Sequence, residues 1–238
     1  MTLTPGGLEG AMAQAHARGN WVMYDPGPSF PAPKAPAGPE FYSGLDLGQA
    51  QDPSALSVLE RKMGPDPAGP ERPGVAHYAL RHLKRWPLGT SYVDIVADVK
   101  KLFEGPPLAG STLCADGTGV GRPVVDMLRK AGINCRLRCI IITFGHGSRP
   151  DVRGGYRVAK VELVGALQVL LQSRRLKVAE ALPEAKTLVK ELQNFRVKIT
   201  PATNEIFESY REGLNDDLVL ATSMPAWLAE RGRRAEVY

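Results

Sequence analysis

The sequence has 238 residues, of which 43% are hydrophobic and 23% charged, and its formal net charge is +5. This composition is typical of a globular protein with one sizeable core, and it excludes a membrane protein because no stretch approaches ~18 consecutive apolar residues. The first residues lack the basic and apolar regions of a secretory signal, so we expect a soluble, cytoplasmic protein. The basic balance weakly favours a polyanionic partner.

Residues 1–39 are predicted to form a flexible leader. Residues 25–39 carry proline or glycine at more than half of their positions and show no apolar period. Such a segment buries too little surface to offset the entropy that is lost on ordering. The folded domain is therefore expected at residues 40–238.

The first part of this domain predicts three antiparallel strands and a helix. Residues 41–48 and 54–62 are apolar and close in sequence, as in a hairpin, and residues 75–86 alternate as a third strand. Apolar residues recur at helical spacing over 91–103. Ser91 is placed to cap that helix.

Strands and helices alternate in the rest of the domain, with a glycine-rich loop at 145–155. The predicted elements are a buried strand at 111–116, a helix through Val120–Leu128, a strand at 135–144, a helix through Val161–Leu171, a weaker helix around 183–193, a hairpin at 195–199 and 205–210, and a helix beginning at Asp216–Asp217. This order predicts an α/β fold with a mixed central sheet, antiparallel first strands and helices on both faces.

Four aspartates lie in predicted elements that are otherwise apolar, where burial of a carboxylate costs free energy. Asp46 lies in the middle of the predicted first strand, Asp116 ends an apolar strand, and Asp216 and Asp217 begin an apolar helix. Each has a simple structural interpretation, as a strand residue, a turn residue or a helix cap. Because buried carboxylates are normally paired or metal-bound, we favour their convergence at one edge of the sheet.

Such a cluster favours divalent metal chemistry. Oxygen ligands without a nearby histidine or cysteine are typical of Mg²⁺ or Mn²⁺. Two such ions, about 3.5–4 Å apart, activate water and stabilise the leaving oxygen of a phosphodiester. Asp46, Asp116, Asp216 and Asp217 are therefore the predicted catalytic and metal-binding residues of a hydrolase.

Four segments, GLDLGQAQDPSAL, CADGTGVGRPVVDML, YRVAKVELVGALQVLL and LNDDLVLATSMPAW, resemble in order and spacing the motifs of phage terminase large-subunit nuclease domains. The resemblance implies a ribonuclease-H-like fold, with Asp46, Asp116 and Asp217 as principal metal ligands and Asp216 as a further acid for the second ion. It also implies a DNA endonuclease that cleaves concatemeric double-stranded DNA during packaging in the host cytoplasm. Its partners would be the portal, the small terminase subunit and a separate ATPase motor.

The sequence departs from that family at two positions and lacks a motor. Asn215 stands where the family often has histidine, and Pro225 interrupts the last helix, which predicts a kink or an early stop. The chain contains no G-x-x-x-x-G-K-[ST] sequence. Three interpretations of the chain remain open: an excised domain of a larger protein, a separately encoded nuclease, and an evolutionary relic of a terminase.

Basic residues surround the glycine-rich loop. Arg149, Arg153 and Arg157 are predicted to contact DNA phosphates. Lys160 matches a basic position of the family, and we expect it to approach the DNA backbone. A solvated charged loop is the alternative. The glycines of 117–121 either hold a phosphate or permit close packing, and we favour packing.

Three other functions remain open at this point. They are a Holliday-junction-resolvase-like nuclease, an actin-like ATPase that holds nucleotide phosphates with 46–48 and 117–121, and a non-catalytic packaging interaction module. The three cysteines fit no disulfide framework and are interpreted as core thiols.

Overall fold

A mixed eight-stranded sheet is the centre of the fold. The computed structural model describes residues 38–48, 52–69, 72–152, 154–199, 205–209 and 216–234, so nearly all of the predicted leader lies outside the described residues. The strands are β1 (Glu40–Asp46), β2 (Ala55–Gly64), β3 (Val75–Arg85), β4 (Thr112–Asp116), β5 (Arg136–Thr143), β6 (Ser148–Pro150), β7 (Tyr156–Ala159) and β8 (Leu176–Val178). Their order across the sheet is β6-β7-β5-β4-β1-β2-β3-β8.

Helices and one separate hairpin complete the described chain. They are α1 (Tyr92–Leu102), α2 (Gly121–Lys130), α3 (Lys160–Gln172), α4 (Ala185–Asn194), α5 (Asp217–Arg234), β9 (Phe195–Ile199) and β10 (Glu205–Ser209). Ser91 caps α1 as predicted, because its hydroxyl accepts a hydrogen bond from the Asp94 amide at 3.2 Å. Within the described ranges, none of these helices has the length and apolar character to cross a membrane.

The strand pairing confirms the predicted mixed sheet. β1, β2 and β3 pair antiparallel, whereas β4 is parallel to β1, β5 to β4 and β7 to β5. β6, β7 and β8 were not predicted. The prediction of a loop throughout 145–155 was wrong, because β6 lies within this range and pairs antiparallel with β7. These strands have three or four residues each, which is too short for an alternating pattern to be recognised.

Side chains of each strand alternate between the two faces of the sheet. Both faces are apolar, and helices cover both of them, as predicted. Leu45, Leu56 and Leu113 pack with the apolar residues of α1 and α2 on one face. Ala55 and Leu59 pack with α3, α4 and α5 on the other face. The three cysteines are free thiols in the described chain, buried or half-buried, which confirms their interpretation.

Pro225 lies inside α5, which continues to Arg234, so the predicted early stop is wrong. Proline has no N–H for the carbonyl four residues earlier, which belongs to Ala221. Ser57 of β2 donates its hydroxyl to that oxygen at 2.8 Å, so the carbonyl is still paired. A Cβ added to Gly44 of β1 would lie only 1.9 Å from the same oxygen, so glycine permits this close approach of helix and sheet.

Candidate functional site

One row of residues crosses four neighbouring strands and contains two of the predicted aspartates. Asp46 pairs in register with Ala55 of β2, and Ala55 pairs with Arg85 of β3. β1 and β4 are parallel and in register up to the residue before each aspartate, so Asp46 and Asp116 end adjacent strands side by side. Asp46 is the last residue of β1, and its predicted place in mid-strand is therefore wrong.

The paired aspartates reach the same edge of the sheet from the beginning of α5. Burial and the negative charges of Asp116, Asp216 and Asp217 raise the pKa of Asp46 well above its usual range. Asp46, Asp116 and Asp217 are 7%, 9% and 2% exposed. The structure thus brings the four predicted aspartates together in a largely buried cluster.

Lys160, the first residue of α3, lies inside this cluster. Its ammonium donates to Asp216 Oδ2 at 2.6 Å and lies 5.6 Å from the centre of the Phe195 ring. Its positive charge lowers the pKa values of Asp46 and Asp116 against the larger effect of burial. Lys160 was predicted to approach DNA, and in the structure its ammonium is hydrogen-bonded to Asp216.

Two residues that contact the beginning of α5, Arg85 and Glu191, were not predicted from the sequence. Arg85 Nη2 donates to Asp217 Oδ1 at 2.6 Å and lies 3.6 Å from Glu191 Oε1. The other oxygen of Glu191 accepts hydrogen bonds from the amides of Leu218 and Val219 at 3.1 and 3.2 Å. The one available signal was Glu191 itself, a carboxylate three residues after Leu188 on the apolar face of α4.

Burial dominates the acid–base properties of these groups. It raises the pKa of Asp116 to about 6, although hydrogen bonds from Thr118 oppose the shift. It also raises the pKa of Asp217 to about 6, against the opposing charge of Arg85. Burial and the nearby Asp217 raise the pKa of Glu191 to about 8. A bound cation stabilises the charged forms of buried carboxylates and offsets the repulsion between them.

The donor set fits a divalent cation in chemistry and charge. Asp217 Oδ2 is buried and has no hydrogen-bond partner among the described residues, so this oxygen is available as a ligand. As the side chains stand, no group of three His, Cys, Asp or Glu residues in the described chain is close enough to hold a metal ion. Asp216 is paired with Lys160 instead, so coordination of a metal by Asp216 requires side-chain rotation.

The glycine run after Asp116 serves close packing, as the sequence analysis favoured. A Cβ at Gly117 would lie 2.3 Å from the sulfur of Cys139, and one at Gly121 would lie 2.2 Å from the Asp116 carbonyl oxygen. Within the same turn, the Thr118 amide donates to Asp116 Oδ1 at 2.8 Å. The tight turn therefore fixes the orientation of the Asp116 carboxylate.

Two of the predicted DNA-binding arginines, Arg149 and Arg157, lie toward the outer edge of the sheet. Arg149 of β6 and Arg157 of β7 are paired in register, and Arg153 lies outside the described residues. Arg157 Nη1 is 3.8 Å from Asp151 Oδ1, and Arg122 Nη2 is 3.9 Å from Asp151 Oδ2. β5 lies between the strands of Arg149 and Arg157 and the strand of Asp116, so these two arginines lie outside the aspartate cluster.

No family model matches the sequence. The chain is 28% identical over 181 residues to the terminase large subunits of Thermus phage G20c and Thermus virus P23-45. The match covers 76% of this chain and 30% of each relative, so the chain spans less than a third of their length. The crystal structure of the large terminase nuclease from thermophilic phage G20c superposes with a TM-score of 0.55 and 26% identity, covering 79% of this chain and 81% of that chain.

These similarities confirm the predicted resemblance to terminase large-subunit nuclease domains. They also confirm the ribonuclease-H-like fold, with its antiparallel first strands and helices on both faces of a mixed sheet.

Proposed function

We propose that this chain is a metal-dependent DNA endonuclease of the terminase large-subunit type, which cleaves concatemeric double-stranded DNA during phage genome packaging. The observation that carries the proposal is the meeting of Asp46, Asp116, Asp216 and Asp217 at one edge of the sheet. The similarity of the fold to a large terminase nuclease supports the same reaction class.

Asp46, Asp116 and Asp217 would hold Mg²⁺ or Mn²⁺, with Asp216 as a further ligand for the second of two ions. When bound, such ions supply an activated water and stabilise the leaving oxygen of the phosphodiester. The turn amide of Thr118 orients Asp116, and the guanidinium of Arg85 orients Asp217. The low exposure of the cluster limits competing solvent around the carboxylates.

Arg149, Arg157 and Lys160 would contact the DNA backbone, together with Arg153. Phosphate contacts of this kind position a duplex without reading its sequence, and they agree with the net charge of +5. Low sequence preference follows, because the sequence shows no base-reading helix or finger. The match covers 30% of the length of each relative. We propose that this chain works together with a portal, a small subunit and a separate ATPase motor.

The test is nicking and linearisation of supercoiled plasmid in Mn²⁺, Mg²⁺ or EDTA. Asp46→Asn and Asp217→Asn should each lower the cleavage rate by on the order of 100-fold or more, because each removes a charged ligand without changing side-chain size. Asp126→Asn is the matched control, because Asp126 is an exposed residue of α2, which packs on the other face of the sheet. Its cleavage should equal that of the wild type.

Other outcomes would favour the alternative functions. Preferential cutting of a four-way junction over plasmid would indicate a resolvase-like nuclease, and ATP hydrolysis would indicate an actin-like ATPase. A wild-type chain that neither cleaves DNA nor gains thermal stability from Mn²⁺ would contradict the proposal and favour an interaction module. Cleavage that persists in both aspartate variants would place the activity elsewhere.

A further inference from the structure

We propose that Arg85 is a positioning residue of this site, which fixes Asp217 in the orientation that metal binding needs, and that Glu191 holds Arg85 and the first turn of α5 in place. The inference rests on the proposed function, because it concerns the same cluster of carboxylates. It adds two residues from β3 and α4 that no sequence motif indicated.

Arg85 joins three elements through one guanidinium group. It is the last residue of β3, its side chain is only 20% exposed, and its Nη2 lies 2.6 Å from Asp217 Oδ1 and 3.6 Å from Glu191 Oε1. A guanidinium is planar and presents several N–H donors in fixed directions, so it restrains the groups that it binds. Arg85 thereby ties α4 and α5 to the end of the sheet.

The contact with Arg85 determines which oxygen of Asp217 is available. Oδ1 is taken by the guanidinium, whereas Oδ2 is buried and has no hydrogen-bond partner in the described part of the chain. A carboxylate with one oxygen held in this way presents the other oxygen in one direction. Without Arg85, Asp217 would rotate, and binding a metal would cost the entropy of fixing it again.

The row across the sheet explains how Arg85 reaches α5. Arg85 and Asp46 flank Ala55 in register, and Ala55 belongs to the face of the sheet that α5 covers. Ala55 is fully buried and carries only a methyl group. A small residue at this place leaves room for the long side chain of Arg85 above the sheet, next to the beginning of α5.

Glu191 supports this arrangement from α4. Its Oε2 accepts hydrogen bonds from the Leu218 and Val219 amides, which belong to the first turn of α5 and have no partner within a helix. A carboxylate at this end of a helix is favourable. Arg85 lies between the carboxylates of Glu191 and Asp217 and offsets their mutual repulsion.

The experiment measures Mn²⁺ binding to the full chain by isothermal titration calorimetry and the Mn²⁺ dependence of plasmid cleavage. Arg85→Met removes the guanidinium at similar length, and Arg85→Lys keeps the charge but not the planar donors. We expect Arg85→Met to raise the Kd for Mn²⁺ by about 10-fold or more, as for other residues that orient metal ligands. Saturating Mn²⁺ should restore much of its cleavage, and Arg85→Lys should be intermediate.

Arg81→Met is the matched control. Arg81 lies on the same strand, but its side chain is 56% exposed and it pairs with Glu60, outside the aspartate cluster. Its Kd for Mn²⁺ should equal that of the wild type. Circular dichroism and thermal unfolding in EDTA establish which variants are folded; if Arg85→Met does not fold, Arg85→Lys carries the test with the same direction of change.

A folded Arg85 variant with the wild-type Kd for Mn²⁺ would overturn the inference. A wild-type chain that binds Mn²⁺ but cleaves no DNA would overturn the proposed function alone, because the binding measurement still decides the role of Arg85. A wild-type chain that binds no Mn²⁺ would overturn the inference directly.

Discussion

Lys160 donates to Asp216 at 2.6 Å, and this contact joins the first residue of α3 to the residue that precedes α5. Both side chains are 22% exposed, so the ion pair is only partly screened by solvent. The same ammonium favours the charged forms of Asp46 and Asp116. Lys160 therefore balances part of the negative charge of the cluster, in addition to any contact with DNA.

We predict that Lys160→Met destabilises the protein most when no divalent metal is present. In EDTA at pH 8, the free energy of unfolding should fall by on the order of 1–2 kcal/mol, because Asp216 loses its partner beside other carboxylates. Saturating Mn²⁺ should reduce this loss, because the ion supplies positive charge and binds only the folded protein. Urea unfolding in the two buffers measures the difference.

Lys130→Met provides the comparison, since Lys130 is an exposed residue of the last turn of α2. Its effect on stability should be small and independent of Mn²⁺. An equal loss for Lys160→Met in EDTA and in Mn²⁺ would contradict a role in balancing the charge of the metal site.

The aspartates of the site were predictable, whereas the residues that orient them were not. Asp46 and Asp116 are visible in the sequence because a carboxylate within or at the end of an apolar strand is exceptional. Arg85 lies in a strand that already contains several basic residues, and its partner Asp217 is 132 positions away. No local pattern encodes such a contact, because it depends on how α5 packs against the sheet.

The same distinction holds for the fold. The hairpin, the main strands and the helices follow from periodicity within one segment, and they were predicted. Whether Pro225 ends α5 depends on Ser57, which comes from a different layer of the structure and pairs the carbonyl that proline leaves open. A local rule for proline fails here because a tertiary hydrogen bond replaces the missing helical one.

We predict that Asp116→Asn stabilises the protein at high pH in EDTA. Burial raises the pKa of Asp116 from its usual 3.8 to about 6, so between these pH values the folded protein binds more protons than the unfolded chain. The stabilising contribution of this group is complete below about pH 4 and is lost as the pH rises through 6. Asparagine avoids the loss, because it stays neutral and still accepts from the Thr118 amide.

The expected gain at pH 8 is on the order of 1–2 kcal/mol, and it should disappear near pH 4. Chemical denaturation of variant and wild type in EDTA from pH 4 to 9 measures it, and Asp126→Asn, at an exposed position, should show no such pH dependence. Asp116→Asn should also abolish cleavage under the proposed function. If the variant is less stable than the wild type at pH 8, the conclusion that the buried, charged Asp116 carboxylate destabilises the folded protein is contradicted.

The hydrogen bond from Ser57 to Ala221 pairs the carbonyl that Pro225 leaves without a helical donor. Ser57→Ala removes the donor to the Ala221 carbonyl, and leaving this buried oxygen unpaired should cost about 1–3 kcal/mol. Pro225→Ala restores an N–H four residues after Ala221, which can donate to the same oxygen within the helix. Ser57→Ala should therefore cost much less in the Pro225→Ala background, and urea unfolding of the four proteins gives the coupling energy.

Ser43→Ala is the control for removing a buried hydroxyl. Ser43 lies on the neighbouring strand β1, and its Oγ is buried and has no hydrogen-bond partner among the described residues. Its removal should cost little, and equally in both backgrounds. A coupling energy near zero between Ser57 and Pro225 would mean that the Ala221 carbonyl is paired in another way.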